Sequence, residues 1–68
     1  MKMSTRNIIT GKVTDITEGM VMAKVKADIG GQTMTAIVTV EALKELNVKV
    51  GDEIKMLIKA TSVMLGKD

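Results

Sequence analysis

Ser4-Thr5-Arg6-Asn7 packs two hydroxyls, a guanidinium and a carboxamide into four consecutive residues, directly ahead of the apolar pair Ile8-Ile9. These are hydrogen-bond donors around one fixed positive charge, and the ligand they suit is a small anion with several oxygens. The plainer reading is a loop at the start of a strand whose hydroxyls satisfy their own backbone. Near the other end of the chain, Lys59-Ala60-Thr61-Ser62 brings a positive charge and further hydroxyls to the break between two apolar stretches. Thr39 is placed to cap a short helix, and the amides of a helix N-terminus are a ready anion site. Each cluster has a structural excuse. Together they fit one oxyanion pocket, or one completed across a subunit interface.

Other chemistries find little to work with. The chain has no cysteine or histidine, and Ser4 and Ser62 have no identifiable base to activate them, so an enzyme is not expected. Barrels that bind single-stranded nucleic acid draw about 1–3 kcal/mol per base from aromatic stacking, and this sequence contains no aromatic residue. Its charge of +2, from ten Lys and Arg against eight Asp and Glu, is dispersed along the chain and gives no strong nucleic-acid footprint. Lys24, Lys26, Lys55 and Lys59 read most simply as a solvated strand face. Methionines at 20, 22, 34, 56 and 64 could suggest a soft metal. Unbranched side chains filling gaps in a core or interface without aromatics account for them better, so no direct protein–metal ligation is expected.

Six elements, five strands and a short helix, must position these groups. Residues 8–17 alternate as a first strand, with Ile9, Gly11 and Val13 on one face and Ile8, Thr10, Lys12, Thr14 and Ile16 on the other. Gly11 inside it predicts a bulge or a close approach by another backbone. Glu18-Gly19 reads as a turn. In the second strand Val21, Ala23, Val25, Ala27 and Ile29 alternate with Met20, Met22, Lys24, Lys26 and Asp28, as a half-buried antiparallel strand requires. Gly30-Gly31 is a hairpin turn signal, and Gln32 to Val40 forms the third strand. Glu41 to Leu46 is a short helix, with Thr39 as N-cap, Leu43 and Leu46 toward the core, and Asn47 as its end. Glu53 to Lys59 is a fourth strand and Ser62 to Leu65 a fifth. The expected fold is therefore all-β with one short helix, a five-stranded barrel of the oligonucleotide/oligosaccharide-binding (OB) type.

Sixty-eight residues allow a single domain, 1–68, with a modest core and no disulfide to staple it. Oligomerisation is the remaining way to add buried surface. No apolar run approaches a membrane span, and Met1-Lys2-Met3-Ser4 opens into alternating residues rather than a signal-peptide core, so a cytoplasmic location is expected.

Ser4-Thr5-Arg6-Asn7 followed by Gly11-Lys12-Val13 resembles the Ser-Ala-Arg-Asn…Gly-Lys-Val opening of the molybdenum-pterin-binding (Mop) family, the molbindins. Lys59-Ala60-Thr61-Ser62-Val63-Met64 resembles that family's closing Lys-Ala/Ser-Thr-x-Val-Met. Thr35-Ala36-Ile37-Val38-Thr39 and Glu45-Leu46-Asn47-Val48 are similar to its Thr-x-Ile-x-Ser/Thr and Glu-Leu-Gly-Val segments. The resemblance implies an OB-type barrel of the TOBE/Mop kind, assembled as a homohexamer (a trimer of dimers), and molybdate, commonly also tungstate, bound between subunits without an organic cofactor. It implies that Ser4, Arg6 and Lys59 donate from one subunit, with the Ala60 amide nearby, while Thr39 and the position of Ala42 approach from a neighbour. Ala42 departs from the pattern: relatives often carry Ser there, and only backbone remains to donate. A second oxyanion site would involve Asn7, Gly11 and Lys12. The implied function is molybdate storage and homeostasis. A molybdate-sensing domain that docks onto a transporter or regulator is the alternative, and a nucleic-acid-binding barrel a more distant one.

Overall fold

The computed structural model describes residues 6–68. Four antiparallel strands form one sheet in the order β3-β2-β1-β4: β1 Arg6–Glu18, β2 Met22–Asp28, β3 Thr33–Thr39 and β4 Glu53–Lys59. Among the described residues a single α-helix, α1 Val40–Leu46, bridges β3 and β4. The all-β architecture with one short helix is as expected, and the sheet curls as an OB-like barrel does. The fifth strand is not there. Ala60–Ser62 instead forms a 3-10 turn, closed by the Val63 amide donating to the Ala60 carbonyl at 3.3 Å, and the apolar residues after it leave the sheet.

β1 is the element the others share. Residues 6–12 pair with β4, and residues 12–18 pair with β2. Within the second region Thr14 is an extra residue opposite β2, where the register steps from Val13↔Ala27 to Asp15↔Lys26. Its hydroxyl donates to the Lys26 carbonyl at 3.2 Å. A bulge inverts the side-chain phase and bends the strand. Ile9, Gly11 and Val13 therefore turn inward, and after the bulge so does Ile16, which strict alternation had placed outside.

Gly11 carries the close approach that its place in a strand predicts. A Cβ there would stand 3.1 Å from Ala27 Cβ, 3.1 Å from Ile29 Cγ2 and 3.3 Å from the Asp28 carbonyl oxygen. Because the last neighbour is backbone, it cannot swing away. Gly11→Ala is expected to destabilise the chain by about 1–2 kcal/mol, since overpacking outweighs the smaller entropic gain of losing a glycine. A urea midpoint that moves up would refute this.

The first hairpin turns two residues later than the sequence suggests. The Gly19 amide donates to the Met22 carbonyl at 2.8 Å, so Met20 and Val21 form the tip and Val21 does not belong to the inward face of β2. The second hairpin is the expected one. Gly30 and Gly31 take φ of 108° and 93°, and Asp28 Oδ1 accepts from both their amides, at 3.1 and 2.8 Å. Left-handed φ is strained for other residues, and the carboxylate fixes the turn.

Val13, Ala23, Val25 and Leu43 make the buried core, with Ile16, Val38, Val40, Val48 and Ile54 packed around it. Thr39 caps α1, its hydroxyl accepting from the Ala42 amide at 3.0 Å, and Asn47 ends it with φ 53°. Leu43 is the residue the helix buries. Leu46, expected beside it, is 73% exposed. On so short a helix the apolar stripe is one residue wide, and Leu46 lies at the rim of a cavity of about 310 Å³ between the β3 and β4 edges.

Candidate oxyanion site

The pairing of β1 with β4 sets Arg6 directly opposite Lys59. Residues opposite each other on antiparallel strands share a face with Cβ atoms about 4.5–5.5 Å apart, and like charges so placed repel. The next outward pair on this face is apolar, Ile8 opposite Leu57, and then Thr10 opposite Lys55. The first carboxylate in this outward series is Glu53, opposite Lys12. Arg6 and Lys59 therefore make an exposed dicationic end to the sheet, whose repulsion a dianion lying between them would remove. Ala60 follows Lys59 and opens the 3-10 turn, so its amide is at the same end. Ser4 and Thr5 lie outside the described residues, two and one positions ahead of Arg6.

Thr39 and Ala42 are elsewhere. Thr39 is the last residue of β3 and pairs with Met22 at the start of β2, next to the far end of β1. β1 and β3 run in the same direction, both being antiparallel to β2, so Arg6 and Thr39 occupy opposite ends of the sheet. The full 13-residue length of β1 lies between them. Within one chain the Arg6–Lys59 pair and Thr39 therefore cannot close on a single small anion. Thr39 is exposed, and its hydroxyl, by accepting from the Ala42 amide, keeps its own hydrogen free to donate. The same bond occupies the Ala42 amide, which the departure from Ser had left as that position's donor.

Of the three residues expected at a second site, Gly11 and Lys12 line one open depression with Thr10, Asp28, Gly51 and Glu53, and Asn7 is not among its lining residues. Asn7 points its carboxamide at the Ile58 carbonyl, 3.4 Å away, and Gly11 is buried against Ala27 and Ile29. Lys12 stands in register with Asp28 on one side and Glu53 on the other, so two carboxylates already face its charge.

Sequence reasoning missed the direct Arg6–Lys59 pairing, though strand register counted back from the β1–β4 alternation could have found it. It also missed the two exposed apolar residues beside Thr39: Met20 and Val21 line an open depression with Thr39, Val40, Glu41 and Lys44. Apolar residues next to a turn glycine were the available signal.

A curled OB-like sheet with an exposed pair of cations at one end and a capping threonine at the other defines the fold class, and comparison with known proteins agrees with it. The chain belongs to the TOBE domain family, whose sequence profile matches residues 3–65, and within it to the molybdenum-pterin-binding (Mop) proteins. It is 51% identical over 67 residues to a probable molybdenum-pterin-binding protein of Haemophilus influenzae, covering 97% of each chain. It is 39% identical over 66 residues to molybdenum-pterin-binding protein 3 of Clostridium pasteurianum, covering 96% of this chain and 97% of that one. A solved molybdate-binding protein from Sporomusa ovata superposes with a TM-score of 0.92 at 36% identity, over 98% of this chain and 100% of that one. Among the described residues no helix is long and apolar enough to cross a membrane.

Proposed function

We propose that this chain is a single Mop domain that binds molybdate, and tungstate through the same donors, in a pocket shared between copies of itself. It holds the anion in the cytoplasm for storage and homeostasis and performs no chemistry of its own. The cross-strand pairing of Arg6 with Lys59 carries this reading. Molybdate is a dianion at neutral pH, and two formal positive charges match it. Ser4 and the Ala60 amide add uncharged donors on the same copy, while the Thr39 hydroxyl, held by the Ala42 amide, donates from a neighbour. A site made only of donors disfavours hydrogen phosphate, whose proton needs an acceptor.

The names of the relatives couple molybdenum with a pterin. A pterin ring is best held by aromatic stacking, and this sequence has no aromatic side chain, which favours the bare oxyanion. Assembly as a homohexamer, a trimer of dimers, is supported by the apolar surface that one copy leaves open. Ile8 and Leu57 face outward side by side on β1 and β4, and Ile37 does so on β3. A small core without disulfides gains stability from covering such surface.

The test is calorimetric titration with molybdate, with sulfate and phosphate as controls, on protein whose mass is fixed by light scattering. Saturable molybdate binding to a hexamer, with phosphate failing to compete at equal concentration, is the expected result. A folded hexamer that takes up no molybdate would end the storage reading.

A further inference from the structure

We infer that Met20 is an oxidation site whose sulfoxide weakens oxyanion binding at the Thr39 end of the sheet. The inference rests on the donor role proposed for Thr39 and adds a redox control to it.

The sulfur chemistry of this chain is all thioether. It has seven methionines and no cysteine, so a mild two-electron oxidant such as a peroxide finds no thiol to act on first. Among methionines, susceptibility follows access to the sulfur. Met56 is 8% exposed, whereas Met20 is 100% and Met64 92% exposed.

Surroundings separate the two open methionines. The Gly19 amide donates to the Met22 carbonyl at 2.8 Å, which closes the β1–β2 turn around Met20 and Val21. The Val40 amide donates to the Val21 carbonyl, also at 2.8 Å, and Met22 pairs with Thr39. The hairpin tip is thus pinned to Thr39 and to the residue after it. Met20 lines an open depression of about 460 Å³ together with Thr39, Val40 and Lys44. Met64 instead follows the 3-10 turn beyond Lys59, whose partner Arg6 stands at the opposite end of the sheet. Two-residue tips favour Gly, Asn and Asp, so a methionine at this one is not explained by the turn.

The reaction needs a peroxide and nothing else. A sulfur lone pair attacks one peroxide oxygen and the O–O bond breaks. The other oxygen leaves as hydroxide, takes the proton of the transferred oxygen and departs as water. The thioether has then lost two electrons to the peroxide and become a sulfoxide. An apolar side chain is converted into a polar one with a strong acceptor oxygen. That oxygen enters the depression that the Thr39 hydroxyl lines, where it competes for the hydrogen that Thr39 has free to donate. The negative end of its dipole also opposes a dianion there.

Dilute hydrogen peroxide tests this on the full chain, with peptide mapping to locate the added oxygen. Excess peroxide is removed, and calorimetry then reads molybdate affinity. Met20 should gain its oxygen before Met56 does. The oxidised protein should bind molybdate about tenfold more weakly, as expected for losing one hydrogen bond to a charged acceptor. Methionine sulfoxide reductases should restore the affinity. Met20→Leu, apolar and of similar size, should bind as the wild type does and keep its affinity through the treatment. Met20→Gln, polar without any oxidant, should show part of the loss from the outset. Oxidation of Met56 ahead of Met20 would overturn the inference. So would a peroxide-induced loss that persists in Met20→Leu, or one that Met64→Leu abolishes instead. Wild-type protein that takes up no molybdate before oxidation would refute the shared pocket and the control of affinity with it. The order of oxidation would still judge Met20 as the modified site.

Discussion

Replacing Arg6 with alanine is expected to weaken molybdate binding by about 100-fold. A charge-assisted hydrogen bond contributes roughly 1.5–3 kcal/mol, and 1.4 kcal/mol is a factor of ten in affinity. Lys59→Ala should cost a comparable amount, since both cations face the same dianion. Lys24→Ala, on the outer face opposite Ile37 and Thr17, should leave the affinity within about twofold. The like-charge pairing adds a second signature. Without ligand, Arg6 and Lys59 repel each other, so either alanine variant should leave the unliganded chain as stable as before or raise its stability by about 0.2–1 kcal/mol. Affinity falling while unliganded stability holds is the pattern of a binding residue. Equal losses of affinity in the Arg6 and Lys24 variants, by calorimetry, would sink the assignment.

Leu43→Ala should cost about 2–5 kcal/mol, the range for deleting a buried leucine and leaving part of the space unfilled. Total stability at roughly 0.05–0.15 kcal/mol per residue comes to only about 3–10 kcal/mol for a chain of this size. Leu43 is 5% exposed and is the residue through which α1 enters the core formed with Val13, Ala23 and Val25. A helix as short as α1 has no stability of its own, so the loss is local first. The helix should loosen, taking with it the Thr39–Ala42 bond, and oxyanion binding should fall together with the thermal midpoint. Leu46→Ala, on the same helix but exposed, should shift the midpoint far less. A Leu43 variant that melts with the wild type would mean that α1 is not anchored as described.

Much of this architecture is legible in the sequence, and the places where it is not have common causes. β4, the Gly30-Gly31 hairpin, the Thr39 cap and the Asn47 stop follow from alternation, glycine and capping chemistry, which act over a few residues. The bulge at Thr14 leaves no mark in a β-branched run, and it alone decides that Ile16 faces inward. The Val63-Met64-Leu65 segment has strand composition without a strand in this chain, because pairing depends on an edge that sequence alone does not offer. Ser4, Arg6 and Lys59 were recognisable as donors and by resemblance. That Arg6 faces Lys59, while Thr39 stands at the other end, is a matter of long-range register.

The placement of the two proposed half-sites at opposite ends of one sheet bears on symmetry and on stoichiometry. A chain that carries one half of each kind can never complete a pocket alone, and it never contributes both halves to the same pocket. In a two-fold pair the contact of Arg6 and Lys59 with the neighbour's Thr39 repeats itself, so such a pair closes two equivalent pockets at once or none. Bound anion then counts as one per chain in any closed assembly built this way, whatever its size. An assembly with an unsatisfied end would instead carry one empty cationic half and one empty hydroxyl half. Under the proposed shared pocket, closure and full occupancy are the same condition.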